Sequence, residues 1–216
     1  MKKVRPTFEY ELEFSRDGEI IVAGVDEVGR GALAGPIVAA AVVFDLKNSV
    51  ICCRSTTNYT ITDSKLLTKR QRQKSEKAIR KIASDIGIGV VEVAEIDKFG
   101  IGAANVLAFK RALDNLKVCD LALIDGRRFR GFDRKYRTII RGESKSISIA
   151  AASIIAKVFR DDLMTRLHNE FKIYNFAKNL GYGTSHHLRV IQKHGPSPHH
   201  RRSFLRKINH NINIFE

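Results

Sequence analysis

Tryptophan is absent from this 216-residue chain, and methionine (two), cysteine (three) and proline (four) are sparse. Without tryptophan, and with no segment that sets a basic face against a Trp/Phe/Leu-rich one, the sequence offers no membrane-surface helix. Cys52 and Cys53 are adjacent and Cys119 is distant. That spacing makes neither a disulfide framework nor a metal knuckle, and points to a reduced, cytoplasmic compartment with the thiols as small apolar filler. Long apolar runs are also missing. The longest uncharged stretches, Gly31–Phe44 and Ser146–Ala156, fall short of the ~20 residues a spanning helix needs, and the first contains Gly35-Pro36. "MKKVRPTFEYELEF" has basic residues but no apolar h-region, so no signal peptide is expected. No repeat or low-complexity segment is present.

Acidic residues are in the minority. Against 38 Lys and Arg stand 23 Asp and Glu, a net charge of +15 and a pI near 10.0. That excess favours a polyanionic partner, either nucleic acid or an anionic membrane surface, which charge alone does not separate. Hydrophobic residues make up 44% of the chain, enough for a real core. The length suits one domain over 1–216, with a core of about 18–170 and a helical, basic C-terminal segment of about 171–216.

Strands alternate with helices along the chain. "EIIVAGVDE" reads as a strand, and "GPIVAAAVVF" as a second, with Pro36 at its entrance, the two forming a hairpin. Helical spacing follows from about Lys69. "IGIGVVEVAEI" is strand-like, "IGAANVLAFKRALDNL" helical, and "DLALIDG" a short strand. "TIIRGESKS" is a strand ending in a turn, "ISIAAASIIAKVFRDDLMTRLHNEF" a long helix, and Ser185–His194 another. The order implies an α/β architecture.

Two of these strands run into acids, Asp26-Glu27 and Asp125, and a third segment ends in Glu143. Open α/β sheets build their sites beyond strand ends. Converging carboxylates repel one another unless cations are present, and hard divalent ions prefer such oxygen ligands. Two such ions ~4 Å apart activate water and cleave a phosphodiester in line. Neighbours on a regular strand point to opposite faces, so Asp26 and Glu27 share a site only if the strand twists or breaks, or if the longer Glu arm reaches around. The glycine at 29 makes a break plausible.

The blocks "VAGVDEVGRGALAGPIVAAAVV", "TDSKLL", "LALIDG", "GESKSISIAAASIIAKVFRD", "GYGT" and "HHRRSF" closely resemble bacterial ribonuclease HII, of the type 2 ribonuclease H family, in order and from about Ile21 to Phe204. The resemblance implies a ribonuclease H-like fold: a central mixed sheet flanked by helices, with an appended C-terminal helical segment. It implies an endonuclease that cuts the RNA strand of RNA–DNA hybrids and incises 5′ to single ribonucleotides in duplex DNA. Two-metal hydrolysis with Mg²⁺ or Mn²⁺ would leave 5′-phosphate and 3′-hydroxyl ends, a step in ribonucleotide removal from DNA.

The family's metal-binding, catalytic acids fall on Asp26, Glu27 and Asp125. Its fourth acid is an aspartate in a Gly-Asp turn, where this chain has Gly142-Glu143. The added methylene moves the carboxylate by about 1.5 Å, which bears on second-metal affinity and metal preference. The Gly29-Arg30-Gly31 turn would read the 2′-hydroxyl, which distinguishes RNA from DNA, and Tyr182 would pack on the neighbouring sugar. Asp63-Ser64-Lys65 matches another block and reads as a capped loop in which Lys65 can touch phosphate. Asp161 reads as an ion-pair partner on the long helix. The basic loop Arg127–Arg141 and "KHGPSPHHRRSFLRK" are candidates for sequence-independent backbone contacts.

The cluster His186, His187, His194, His199 and His200 fits no zinc-finger spacing. The tail "INHNINIFE" is a candidate replication-clamp peptide, although short tails of this kind are mostly inert. A monomer is expected, with RNA–DNA hybrid and ribonucleotide-containing duplex DNA as partners and no membrane. Two rivals stand beside this reading. Ribonuclease HIII carries an extra N-terminal domain and a lysine where Arg30 stands here. A non-catalytic hybrid-binding module on the same fold is set against by intact Asp26, Glu27 and Asp125, with Glu143 alone in its favour.

Overall fold

The computed structural model describes residues 5–15, 19–46, 61–127 and 129–209, with side chains to residue 206. Cys52, Cys53, the Arg128 position of the basic loop and the tail from 210 lie outside the described residues. A short helix α1 (Glu9–Ser15) precedes strands β1 (Val22–Val28) and β2 (Ile37–Val43). Helix α2 (Lys69–Ile82), β3 (Asp85–Val91), α3 (Val93–Asp114), β4 (Leu121–Asp125) and β5 (Tyr136–Ile139) follow. The long α4 (Ile147–Glu170) and three shorter helices, α5 (Phe176–Asn179), α6 (Ser185–His194) and α7 (Arg202–Asn209), come next, and one-turn helices stand at Ser64–Leu66, Gly142–Ser144 and Lys172–Tyr174.

The five strands form one sheet in the order β3-β2-β1-β4-β5. β1 pairs antiparallel with β2, and β2 with β3, whereas β1, β4 and β5 run parallel. The expected hairpin is present. Both faces are covered, which is why "IVAAAVV" is buried throughout rather than alternating. Ala23, Val25, Ala39 and Ala41 pack against Ala104, Ala108 and Phe109 of α3. Val38, Ala40 and Val42 pack against Ala151, Ile154 and Ile155 of α4 and Ile79 of α2. A third cluster joins Leu33 and Ala34 of the turn after β1 to Met164, Phe176, Ile191 and Leu205.

The small residues at the start of α4 do what their size allows: a Cβ on Gly24 would lie 2.1 Å from the Ser148 carbonyl carbon. Helix and strand therefore touch backbone to backbone. The N-terminus of α4 is tied down by buried Glu11, whose Oε1 accepts from the Ser148 amide at 2.8 Å and from the hydroxyls of Ser146 and Ser148.

One expected boundary moves. "VEVAEI" is read as strand from its alternating valines, but β3 ends at Val91 and α3 begins at Val93, with Val93 and Ile96 buried at helical spacing. So short an apolar run fits both periods. The helix is then broken at Gly100 (φ 78°, ψ 159°) and resumes with the expected segment.

Candidate active site

β1, β4 and β5 are parallel, so their C-terminal ends lie at one edge of the sheet, and the four acids converge there. By strand alternation Asp26 and Asp125 project from the α4 side, where Leu123 and Val22 also pack. Glu27 leaves from the opposite side. No break separates the pair: Asp26, Glu27 and Val28 continue in register with Ala40, Ala39 and Val38. Of the three routes the sequence left open, the break is excluded, because the chain leaves the ladder only at Gly29. Glu27 is nevertheless near enough for its charge to act on Asp26 and that of Asp125 to act on it, which leaves the longer arm or the strand twist as the route.

Glu143 sits in a one-turn helix (Gly142–Ser144) between β5 and α4. The preceding Arg141 is left-handed (φ 57°), which turns the chain sharply, and the Gly142 amide donates to Asp125 Oδ1 at 2.6 Å. The third and fourth acids are thereby linked through backbone.

These carboxyls crowd each other. Burial, then repulsion from Glu27 and Asp125, pushes Asp26 well above the ordinary carboxylate range. A bond from Ser153 and one from the Glu27 amide (2.8 Å) offset part of this. Burial also raises Glu27, against the pull of Arg30, 4.0 Å away. Glu143 is raised by burial and by the Asp125 carboxyl within hydrogen-bond reach, and its Oε2 is buried without a partner. Burial disfavours the Lys65 charge, yet Asp63, Glu143, Asp26 and Asp125 together raise its pKa; its Nζ lies 4.0 Å from Glu143. Among the described residues no three or more His, Cys, Asp or Glu side chains stand close enough together to hold a metal ion as they are. An all-oxygen donor set, mutual repulsion and an orphaned buried oxygen together fit a hard divalent cation.

The acids rest on Ser153, which the sequence did not single out, and through it on Ser64 of the capped loop. Ser153 of α4 supports Asp26, and Ser64 Oγ lies 2.9 Å from Ser153 Oγ. Asp63 caps its turn as expected, accepting from the Lys65 amide at 2.9 Å. Asp161 is an ion-pair partner, 2.7 Å from Lys157 Nζ and 3.9 Å from Arg72.

Two arginines hold the glycine-rich turn. Arg160, fully buried, donates to the carbonyls of Pro36 (2.9 Å), Ala34 (3.1 Å) and Leu180 (2.9 Å). Arg201, also fully buried, donates twice to Gly35 and once to Arg30. Burial, then the Arg160 charge, brings Arg201 down to about 9. The sequence singled out neither: "FRDD" drew attention only to Asp161, and Arg201 stood within a candidate for backbone contacts. Within the backbone-contact candidate "KHGPSPHHRRSFLRK", His200 and Arg201 point inward, whereas Arg202 and Arg206 are exposed.

The same turn separates its two glycines. Gly29 has φ 91°, and a Cβ there would lie 2.1 Å from Arg160 Nε. Gly31 has neither a positive φ nor any atom within 4 Å of such a Cβ. The fold requires the first glycine and leaves open space at the second. Tyr182 is exposed, its ring 5.7 Å from the Arg160 guanidinium. Its loop meets the turn through Gly181, whose carbonyl accepts from Leu33 (2.8 Å) and Ala34 (3.2 Å). Beyond the acids, Arg127, Arg130 and Arg137 of the basic loop are exposed, while Phe129, Phe132 and Tyr136 anchor that loop in an aromatic cluster with Phe109. Among the described residues no helix is long and apolar enough to cross a membrane.

The sequence model of ribonuclease HII matches residues 23–207. A ribonuclease HII of Wolbachia sp. subsp. Brugia malayi is 44% identical over 202 residues, covering 93% of this chain and 95% of that protein. The ribonuclease HII of Caldanaerobacter subterraneus subsp. tengcongensis is 41% identical, covering 96% and 83%. The crystal structure of ribonuclease H2 from Pyrococcus horikoshii superposes with a TM-score of 0.68 at 26% identity, covering 90% of this chain and 99% of that one. The Archaeoglobus fulgidus RNase HII, solved in complex with PCNA, gives 0.71 at 21% identity, covering 90% and 97%. At that identity the likeness concerns fold alone.

Proposed function

Because the chain belongs to the ribonuclease HII family, whose members are ribonuclease H enzymes, we propose that it hydrolyses the RNA strand of RNA–DNA hybrids and incises duplex DNA 5′ to single ribonucleotides, leaving 5′-phosphate and 3′-hydroxyl ends. The observation that carries this reading is the convergence of Asp26, Glu27, Asp125 and Glu143 at one sheet edge, beside a turn with open space at Gly31.

Those four acids would hold Mg²⁺ or Mn²⁺, two ions when substrate is bound. The chemistry supplied there is polarisation of a phosphoryl oxygen and activation of water near neutral pH. The protein's own part is to hold the acids in place. Ser153 and the Glu27 amide fix Asp26, and the Gly142 amide fixes Asp125. The exposed Lys65 ammonium, beside Glu143, is available to a phosphate oxygen. Arg160 and Arg201 present the Gly29-Arg30-Gly31 backbone to the 2′-hydroxyl, and the missing side chain at Gly31 lets a sugar approach that backbone. Tyr182 packs on the adjoining sugar. Arg127, Arg130 and Arg137 add salt-dependent contacts to phosphates along the duplex.

The test is a labelled DNA duplex with one ribonucleotide, assayed with Mg²⁺ and Mn²⁺ separately and with Asp26→Asn as control. A single cut 5′ to the ribonucleotide, lost in the variant, is expected. Binding without cleavage under either metal would instead favour a non-catalytic hybrid-binding module.

A further inference from the structure

The two histidines most deeply buried in the C-terminal region are used by none of the chemistry above. His187 is 0% and His200 1% exposed, and their Nε2 atoms are 3.0 Å apart. His187 Nδ1 lies 2.9 Å from the Tyr182 carbonyl oxygen. His200 Nδ1 lies 2.9 Å from the Ser197 amide and 2.8 Å from its hydroxyl.

Both ends of this chain of contacts are backbone groups of fixed polarity, so the protons can be placed. A carbonyl only accepts, so His187 carries its proton on Nδ1 and its Nε2 accepts. An amide only donates, so His200 Nδ1 accepts and its proton is on Nε2. The two deductions, made from opposite ends, agree: His200 Nε2–H donates to His187 Nε2. Every ring nitrogen is satisfied with both rings neutral. A second proton on either ring would set N–H against N–H in a dry interior, among the rings of Tyr174 and Phe176.

His200 is also bound to the glycine-rich turn through its backbone. It forms an antiparallel bridge with Ala34, flanked by bonds from the Gly35 amide to the His199 carbonyl (2.9 Å) and from the Arg201 amide to the Leu33 carbonyl (2.8 Å). Its main chain thus belongs to the turn, and its ring connects through the His187 ring to the backbone of Tyr182.

We propose that His200 and His187 form a neutral, one-directional hydrogen-bond relay that registers Tyr182 against the Gly29–Pro36 turn, and so sets discrimination of the ribonucleotide junction. The inference rests on the reading that Tyr182 packs on the sugar beside that junction. Neither ring reaches the acids, so both are positioning residues. Burial, then the His187 charge, lowers His200 to about 4, and burial lowers His187, which keeps both rings neutral at physiological pH.

The experiment compares His187→Phe, His187→Asn, His200→Asn and the double variant His187→Phe/His200→Asn. Each is assayed on a single-ribonucleotide duplex and on a uniform RNA–DNA hybrid, which has no junction. His187→Phe keeps a ring but no donor, and is expected to raise KM on the single-ribonucleotide duplex about tenfold, the scale of one lost buried hydrogen bond, with kcat and hybrid cleavage within threefold. His187→Asn, whose amide nitrogen stands near the Nδ1 position, is expected to recover most of that loss. The double variant is expected to lose no more than His187→Phe alone, since two parts of one relay are not additive. Equal losses on both substrates, or additive losses in the double variant, overturn the proposal.

Should His187→Phe fail to melt cooperatively, ¹H–¹⁵N correlation of the wild-type rings decides. The Nδ1–H form of His187 with the Nε2–H form of His200 supports the relay, and any other pairing overturns it. Wild-type protein that leaves the single-ribonucleotide duplex uncut defeats the functional reading and the proposal with it. Wild-type cleavage matched by His187→Phe defeats the proposal alone.

Discussion

The backbone amide of Gly142 donates to Asp125 Oδ1 at 2.6 Å, so the turn carrying the fourth acid is anchored on the third acid and not on its own side chain. The anchor is independent of what stands at 143, and the longer Glu143 arm leaves its Oε2 buried and unpartnered. Glu143→Asp is therefore expected to keep or improve Mg²⁺-supported cleavage. A loss as deep as that of Asp26→Asn would show that the site is tuned to glutamate.

Asp26 is buried among like charges, which costs stability in the absence of a cation. Asp26→Asn should abolish cleavage, leave hybrid binding within a few-fold and raise the melting temperature measured in chelator. A melting temperature that falls in chelator would mean that the carboxylate is held by bonds outweighing the repulsion.

The two glycines of the reader turn should respond differently. Gly29→Ala faces both a positive φ and the Arg160 side chain, and is expected to destabilise the fold by about 2–4 kcal/mol. Gly31→Ala should melt as wild type yet cut the single-ribonucleotide duplex at least about tenfold more slowly, a loss of ~1.4 kcal/mol of transition-state binding. Unchanged cleavage by Gly31→Ala would mean that no sugar approaches this backbone.

Arg160→Met would leave the carbonyls of Ala34, Pro36 and Leu180 without their donor, and Leu180 is held at φ 53°. A destabilisation of about 3 kcal/mol or more is expected in thermal melts. Arg160→Lys should recover little of it, because an ammonium cannot span three carbonyls with a planar fork.

Histidine protonation gives a stability profile with a definite sign. The folded-state pKa of His200, about 4, lies below its ordinary 6.5, so between those values the unfolded chain binds the extra proton. Stability should be complete above about pH 6.5 and decline toward pH 4, by on the order of 3 kcal/mol from this group. His200→Asn should flatten that segment of the curve; an unaltered slope would assign it to other groups.

Much of this was legible along the chain. The strands that carry Asp26 and Asp125 near their ends, the hairpin around Pro36, the long small-residue helix and the span of Ser185–His194 follow from periodicity, because each is a local pattern. "VEVAEI" was misread because its valines satisfy strand and helix periods alike. The route by which Glu27 reaches its neighbours was left open, since it depends on the twist of a sheet that the sequence does not display.

What the sequence by itself determined is the inventory: four acids at strand ends and in a turn, a glycine-rich turn after the first strand, a basic excess, and the family to which these belong. Only the tertiary structure decided how that inventory is held. Arg160 and Arg201 are indistinguishable from surface charge until distant carbonyls fold around them, that of Pro36, 124 residues from Arg160, and that of Arg30, 171 residues from Arg201. His187 and His200, read as a polar cluster, become a proton-ordered relay once burial removes water as their alternative partner. Gly29 and Gly31, alike in one dimension, separate into a glycine the fold needs and one it leaves open. The physical reason is common to all three. Local pattern reports which face of an element is apolar, whereas a buried polar group is defined by partners that meet it only after the chain has closed.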